Sequence, residues 1–571
     1  MSVADAHALM TATDDSPFAM EEADINGVTL RVWKNAAPSL RAMFEESRAH
    51  GDLEYMVYEG ERITFEAHYR AVAKLANALV NDYGVKKGDR VALIMRNFPE
   101  WAVSFWAATT IGAVIVPLNA WLTGEELEYG VSDCGARVAI VDEDRYHRLA
   151  PHLHNLADLQ SIIVARAGAT FEGKAERFEQ VVGAPADYMS LDADATLPPC
   201  QIDPDDNATI FYTSGTTGKP KGALGTQRNI TGNLVSLGVS RIRAMLRRGE
   251  MPQPPSEDDP KTAMLLSVPL FHATGCHSIL VPMLVAGNKL VIMHKWDPTR
   301  ALELIQEEKI NGFGGVPAMV WQVLEHPNFH DYDTSSVEGV SYGGAPSAPE
   351  LVARIAQEFP KAAPGNGYGL TETSSVTTQN VGEDYQNRPD SAGPAIPVVD
   401  LRVVDADGND VPDGEIGELW IKGPNVVKGY WNKPEATEKS FTKEGWFKSG
   451  DLVKIDEEGF VFILDRAKDM LIRGGENIYS VEIEDVLYSY AGVMDAAIVG
   501  IPHKVLGEEV GAVVQVAPDA SVTQEQLQDH VAQHLAAFKV PIKIDIRTDP
   551  LPRNANGKIL KNELREQILE S

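Results

Sequence analysis

The segment from Tyr212 to Gly222 reads Tyr-Thr-Ser-Gly-Thr-Thr-Gly-Lys-Pro-Lys-Gly, with glycines, hydroxyls and two lysines side by side. Glycines let successive backbone N–H groups turn towards one point. The hydroxyls of Thr213, Ser214, Thr216 and Thr217 and the ammonium groups of Lys219 and Lys221 add donors around it. Such a loop suits a polyphosphate. A P-loop has four residues between its glycines and ends in Gly-Lys-[Ser/Thr]. Here only Thr216 and Thr217 separate Gly215 from Gly218, and Pro220 follows Lys219. The spacing supports a nucleotide site and argues against that class of NTPase.

Five further segments carry residue types that chemistry can use. Pro269-Leu270-Phe271-His272 follows an apolar run, so His272 stands at a strand's carboxyl end, where α/β sheets bind ligands. Asn366-Gly367-Tyr368-Gly369-Leu370-Thr371-Glu372 pairs a ring with a carboxylate on a flexible backbone. The ring can stack on a base, and a carboxylate near phosphates is useful chiefly through a divalent cation. Ser449-Gly450-Asp451 and Asp465-Arg466 offer a carboxylate able to accept two ribose protons and a guanidinium. Leu471 to Asn477, with Gly474 and Gly475, permits close backbone approach to a narrow ligand. Arg553 to Lys558 places a lysine on a turn near the C-terminus. Taken singly, these also read as turns and surface charges. Their order and joint presence carry the inference.

The elements that must position these residues alternate. Residues 91–95, 113–116, 137–141 and 161–164 read as strands, with helices at 101–110 and after Thr123, whose spacing to Glu126 is a capping box. The rhythm returns at 264–268, 290–293 and 312–316, with helices at 277–285 and 299–308. Short apolar runs separated by helices imply parallel strands covered on both faces, and two rounds imply two α/β layers. Residues 1–40 read as a polar arm on the body. Residues 241–261 open with Arg241, Arg243, Arg247 and Arg248, then turn proline-rich and acidic, and read as a solvated loop. From about 398 to 465 the text is β-rich with Gly and Asp turns. Past Arg466 it is long enough for a small α+β domain, with helices at 482–490 and 524–535 and strands at 496–501 and 511–516.

A chain of 571 residues with 44% hydrophobic and 23% charged residues is expected to hold a large body and a smaller unit. The net charge of −31 argues against general affinity for nucleic acid or anionic membrane. Cys134, Cys200 and Cys276 form no metal or disulfide pattern, which fits a reducing cytoplasm. The N-terminus has no basic segment followed by an apolar run, so no signal peptide is expected. The uncharged residues 101–124 are interrupted by Gly112, Pro117 and Asn119 and are expected to fold as helix, strand and turn, with no transmembrane segment.

In this order and together, the segments resemble the adenylate-forming superfamily: acyl-CoA synthetases, aryl-CoA ligases, luciferase-type enzymes and the adenylation domains of peptide synthetases. The likeness runs from about residue 40 to residue 568. It implies an α/β fold with a large N-terminal body of two α/β layers plus a distorted β-barrel, and a small mobile α+β C-terminal domain. The expected division is 1–465 for the acyl and ATP sites and 466–571 for the mobile domain. It also implies an acid–thiol ligase that makes an acyl-adenylate from ATP and hands the acyl group to coenzyme A.

The same resemblance assigns residues. Ser214, Gly215, Thr216, Thr217, Gly218 and Lys219 would hold the β- and γ-phosphates, and Thr213 and Glu372 would contact Mg²⁺. Tyr368, after Asn366 and Gly367 and before Gly369, would stack on adenine, with Gly343, Gly344, Ala345 and Pro346 at the base's edge. Asp451 and Arg466 match ribose contacts, and Thr371 would touch the α-phosphate. Lys558 would bridge the attacking carboxylate and the α-phosphate. Lys468 is the hinge by position, and Gly474 and Gly475 would line the pantetheine channel.

His272 stands where amino-acid-activating relatives carry an Asp, which disfavours such substrates. The acid pocket is expected near His272, Cys276, Ser278, Gly315, Gly343, Tyr368 and Val376, with no charged side chain for the acid's far end. An apolar acid follows: fatty acyl first, aryl or ring-bearing second. The alternative of another class is a catalytically silent nucleotide-binding scaffold, disfavoured by the joint presence of Glu372, Asp451, Arg466 and Lys558. Expected partners are a small carboxylic acid, ATP and CoA, with no nucleic acid; a homodimer is left open.

Overall fold

A computed structural model describes residues 1–168, 171, 173–213, 219–253, 260–343, 349–467, 469–473, 476–554 and 558–570. Two sheets form the body. One has seven strands in the order Lys221–Thr226, Asn207–Thr213, Val114–Pro117, Arg90–Ile94, Val138–Asp142, Ser161–Ala165 and Ala175–Arg177. Its neighbours run parallel except at the edge, where Lys221–Thr226 returns antiparallel on Asn207–Thr213. The other has eight, in the order Thr378–Val381, Ala363–Tyr368, Gly339–Gly343, Gly312–Gly315, Ala263–Leu266, Lys289–Ile292, Glu54–Tyr58 and Glu61–Thr64. It is parallel through the middle and antiparallel at both ends. These are the two expected α/β layers. Every position of Val138–Asp142 is buried, as a strand with both faces covered requires.

Helix Pro99–Thr110 is buried at every residue. It sits in a core cluster that takes Leu93 and Ile140 from one sheet and Leu266 and Leu290 from the other. A helix apolar on all sides is thus explained by protein on all sides. The strand Val114–Pro117 and the helix Gly124–Cys134 follow. Thr123 and Glu126 cap the latter reciprocally, as their spacing implies. Among the described residues no helix is long and apolar enough to cross a membrane.

A third, antiparallel sheet has five strands in the order Gly393–Pro394, Phe460–Arg466, Phe447–Ile455, Gly417–Lys422 and Asp400–Val404. Burial alternates along Gly417–Lys422, so one face packs inward. That face shares a core cluster with Ala6, Met10 and Trp33. The N-terminal arm is therefore structured: helix Val3–Met10 and the hairpin Met20–Ile25/Val28–Trp33 dock on this sheet and on helix Gln227–Arg247, and Arg31 pairs with Asp400.

The chain leaves the third sheet at Arg466 and enters a fourth at Leu471. The latter contains Glu476–Ile478, Leu471–Arg473, Gly507–Val516 and Val493–His503, with Lys543–Arg547 parallel to Gly507–Val516. Helices Ser480–Tyr488, Gln524–His534 and Lys561–Glu570 cover it over separate hydrophobic clusters.

Two expectations need correction. The loop assigned to 241–261 begins later, because helix Gln227–Arg247 runs through the arginines. Arginine is a good helix former, and Arg243 lies on the buried face, where its guanidinium donates to the Gln379 carbonyl at 2.5 Å. The helix assigned to 277–285 starts at Ala273 and passes through a π turn, Cys276–Leu280, before Val281–Val285. Such turns cluster at functional sites.

Candidate active site

Thr213 closes the strand that leads into the glycine loop, and Lys221, its cross-strand partner, opens the strand that leaves it. Ser214, Gly215, Thr216, Thr217 and Gly218 lie outside the described residues, as do Gly344, Ala345, Pro346, Lys468, Gly474 and Gly475. The loop's flanks are held firmly. Tyr212 donates to Asp133 Oδ2 at 2.8 Å, and the Lys433 ammonium stands 2.5 Å from Oδ1 of the same carboxylate. Tyr129 donates to the Pro220 carbonyl at 3.0 Å, and the Lys219 ammonium lies 4.8 Å above its ring. The segment 428–433 is stitched alongside: Leu224 N donates to Gly429 O at 2.9 Å and Trp431 N to Gly222 O at 2.8 Å.

Strand Ala363–Tyr368 brings in Asn366, Gly367 and Tyr368, and pairs Gly367 with Gly343 of the neighbouring parallel strand. A Cβ on Gly343 would meet the Gly367 carbonyl oxygen at 2.4 Å, so only glycine permits this approach. After Gly369 the chain makes a short turn, Thr371–Thr373, that carries Glu372, 9% exposed. The Tyr430 phenol donates to Glu372 Oε1 at 2.8 Å. Ser374 and Ser375 then take φ of 52° and 104°, sparsely populated for residues with a Cβ. The strained pair is over-determined. The His277 ring nitrogen Nδ1 is 3.2 Å from the Ser374 carbonyl, and the Ser278 and Ser375 hydroxyls are 2.6 Å apart. Asn233 accepts from Val376 N at 3.1 Å and donates to His277 O at 3.2 Å.

Asp451 and Arg466 face each other across antiparallel strands. Arg466 Nε is 2.5 Å from Asp451 Oδ1, and the Tyr368 phenol donates to Oδ2 at 2.5 Å. Burial opposes the guanidinium charge, yet Asp451 holds the arginine above its ordinary range. Burial and Asp451 push the Tyr368 phenol well up, so it stays a donor. Tyr368, Asp451 and Arg466 are one hydrogen-bonded set, and Arg466 also feels Glu372.

His272 caps the helix that begins at Ala273, after the strand Ala263–Leu266. Its ring packs edge-on against Phe271 at 4.8 Å, and Phe271 against Trp121 at 5.1 Å. Cys276 beneath is fully buried, and burial pushes its thiol well above the usual range, as packing requires and a nucleophile would not. Lys558 lies far along the chain on a turn of the C-terminal unit. Its side chain is exposed, its backbone N–H donates to Asn554 Oδ1 at 3.0 Å, and its carbonyl accepts from Asn554 N at 2.8 Å. Tyr430, Lys433, Asp133, Asn233 and the Ser374–Ser375 pair went unread in the sequence.

Residues 43–431 match a family model described as AMP-binding enzyme, and residues 482–558 match the AMP-binding enzyme C-terminal domain. A feruloyl-CoA synthase from Amycolatopsis sp is 34% identical over 509 residues, covering 89% of this chain and 94% of the relative. A long-chain-fatty-acid–CoA ligase from Mycobacterium tuberculosis is 34% identical over 544 residues, covering 95% and 98%. Among solved structures, an anthranilate CoA ligase in complex with anthranoyl-AMP aligns with a TM-score of 0.82 at 24% identity, covering 93% of this chain and 97% of that one.

Proposed function

This chain belongs to the AMP-binding enzyme family as an ATP-dependent, AMP-forming acid–CoA ligase, and we propose that its acid is apolar, fatty acyl first and ring-bearing second. The observation that carries the site reading is the set Tyr368–Asp451–Arg466, with Glu372 within its field and joined through Tyr430 to Lys221.

In the first half-reaction a carboxylate oxygen of the acid attacks the α-phosphorus of ATP. The bond to the bridging oxygen of pyrophosphate breaks, and pyrophosphate leaves with the electron pair. In the second, the CoA thiol gives up its proton to water and its sulfur attacks the acyl carbon; the bond to the AMP oxygen breaks, and AMP leaves with the electron pair. Both halves bring anions together, so the protein must supply fixed positive charge and oriented donors. Tyr368, at the end of its strand, would stack on adenine beside Gly343, and Asp451 would accept ribose protons with Arg466 paired to its other side. Lys219 and the loop 214–218 would hold the β- and γ-phosphates, with Thr371 on the α-phosphate. Lys558 would neutralise the acid and the α-phosphate during attack, and a rotation about Lys468 would replace it by Gly474 and Gly475 along the pantetheine path. That exchange also excludes water from the anhydride.

The donor set fits Mg²⁺. Glu372 is a mostly buried carboxylate with one oxygen taken by Tyr430, and Thr213 offers a hydroxyl at the loop's root. One carboxylate and a hydroxyl beside substrate phosphates is the set this cation takes, in place of an all-protein cage. Mg²⁺ would draw charge from the leaving pyrophosphate.

The aromatic line Trp121–Phe271–His272 is what supports the ring-bearing acid as second choice. A panel of acids from short aliphatic through long-chain to ring-bearing, with AMP release measured in the presence of CoA, tests the reading. Acid-dependent AMP is expected, with an apolar acid the best substrate. Phosphate release independent of acid, or no AMP from any acid, overturns it.

A further inference from the structure

Tyr430 lies between the two residues assigned to the cation, and neither contact to it is visible in the local sequence. Its hydroxyl donates to Glu372 Oε1 at 2.8 Å. On its face, 4.9 Å from the ring centroid, sits the ammonium of Lys221. Lys221 is the cross-strand partner of Thr213, whose hydroxyl is 3.4 Å from the Lys221 carbonyl. The path Thr213–Lys221–Tyr430–Glu372 therefore links both candidate Mg²⁺ contacts through one ring.

The ring has little freedom. Tyr430 bridges to Ala223 on the strand leaving the glycine loop, its backbone N–H donates to Thr437 Oγ1 at 2.9 Å, and Phe441 packs edge-on at 5.6 Å. The backbone of Glu372 is tied to the same segment, since Val427 N donates to its carbonyl at 3.0 Å.

We propose that Tyr430 is the positioning residue for the Glu372 carboxylate: its hydroxyl occupies Oε1, turns the other oxygen towards the phosphates, and couples cation binding to the glycine hairpin through Lys221. A hydrogen bond to one carboxylate oxygen fixes the rotation of a group that otherwise spins about its terminal bond. The ammonium above the ring is held at the root of the loop by its own strand pairing, so the carboxylate's aim depends on the hairpin's place. This rests on the reading of Glu372 as a Mg²⁺ contact, and the experiment separates the two.

Tyr430→Phe keeps the ring, the Lys221 contact and the packing, and removes only the donor. In the full-length chain, ATP binding is titrated calorimetrically with and without Mg²⁺, and the Mg²⁺ dependence of acid-driven pyrophosphate exchange is measured. Tyr430→Phe is expected to raise the half-saturating Mg²⁺ about tenfold, the scale of a lost hydrogen bond to a charged group, and to leave metal-free ATP affinity unchanged. Glu372→Gln should abolish the gain in ATP affinity that Mg²⁺ brings, and Tyr430→Phe added to it should do nothing more. A loss of folded protein scales both ATP affinities alike and leaves their ratio unmoved, so destabilisation alone cannot mimic the result. If Glu372→Gln removes the Mg²⁺ effect and Tyr430→Phe leaves it intact, the positioning role is overturned and the metal assignment stands. If Glu372→Gln itself retains the parent's Mg²⁺ requirement, the metal assignment is overturned and the positioning role with it.

Discussion

The phenol of Tyr368 donates to Asp451 Oδ2 at 2.5 Å, across 83 positions of chain, while Arg466 holds Oδ1. Both oxygens of this carboxylate, 4% exposed in its side chain, are thus oriented before any ligand arrives. A carboxylate has about four lone-pair sites, so ribose hydroxyls can still be accepted beside these two donors. Tyr368→Phe keeps the ring proposed to stack on adenine and gives up one donor. Its KM for ATP should rise by no more than about fivefold, within the worth of one hydrogen bond. Asp451→Ala also strands the Arg466 guanidinium, so KM for ATP should rise at least about tenfold and the melting temperature should fall. Pyrophosphate exchange at varied ATP, with a thermal scan of each variant, checks both. Equal KM increases would show that the carboxylate serves only to hold the tyrosine.

Lys558 is the test of division of labour between the two halves of the reaction. Its side chain is exposed in the C-terminal unit, while the residues proposed to hold the nucleotide lie in the body. A fixed cation used only at phosphoryl attack should matter only there. Lys558→Ala should lose at least about 10²-fold in acid-dependent pyrophosphate exchange, the scale of one preorganised contact in a transition state. Transfer to CoA from supplied acyl-adenylate should fall much less. Stopped-flow or quenched assays of each half-reaction decide, and equal losses would remove the assignment.

Much of the fold was legible because its signals are local. The capping box Thr123/Glu126 and the buried run at 138–142 each express their structure within a few residues. The segment 241–248 failed for the opposite reason. Four arginines read as solvent, whereas Arg243 is buried, and its partners Gln379 and Asp384 lie more than a hundred positions away. The candidate site divides in the same way. The glycine loop, Glu372 and Asp451 stand in motifs, so a sequence announces them. Tyr430 and Lys433 act through Glu372 and Asp133, 58 and 300 positions distant, and nothing near them in the chain marks the contact.

The junction between the third and fourth sheets supplies a stability prediction. Lys561 Nζ is 2.7 Å from Glu484 Oε1 and 2.6 Å from the Ser480 hydroxyl, and Ser480 N donates to Asp465 Oδ2 at 2.6 Å. Burial opposes the Lys561 charge, but Glu484 and Asp465 keep it above its ordinary range. Lys561→Ala would leave the Glu484 carboxylate, 8% exposed, without its cation. The cost should be about 3 kcal/mol in urea unfolding, the lower end for breaking a buried pair, since the lysine is partly solvated. Lys561→Met with Glu484→Gln should recover a good part of it. A double variant as unstable as the single would mean that packing, not charge, holds this junction.

Buried titratable groups set the last prediction, and their signs oppose. Burial pushes His68 down to about 3, and burial with the nearby Arg243 and Arg247 pushes His7 down to about 4. Burial pushes Glu100 up to about 7, against the pull of Arg166. An unfolded histidine titrates near pH 6.5, so above that both states are neutral and His68 contributes nothing. As pH falls from about 6.5 towards 3, the unfolded chain binds a proton that the native state refuses, and stability is lost by about 1.4 kcal/mol per pH unit per group. Glu100 runs the other way. Between pH 7 and its unfolded value near 4.5 the native state holds a proton that the unfolded chain has released, so lowering the pH adds stability. Replacing His68 by Phe should therefore flatten the loss of stability below pH 6.5, and Glu100→Gln should steepen it between pH 7 and 4.5. Urea unfolding of the parent and both variants, taken at several pH values from 4.5 to 8, measures the slopes. Identical slopes in all three would mean that neither group keeps its buried protonation state.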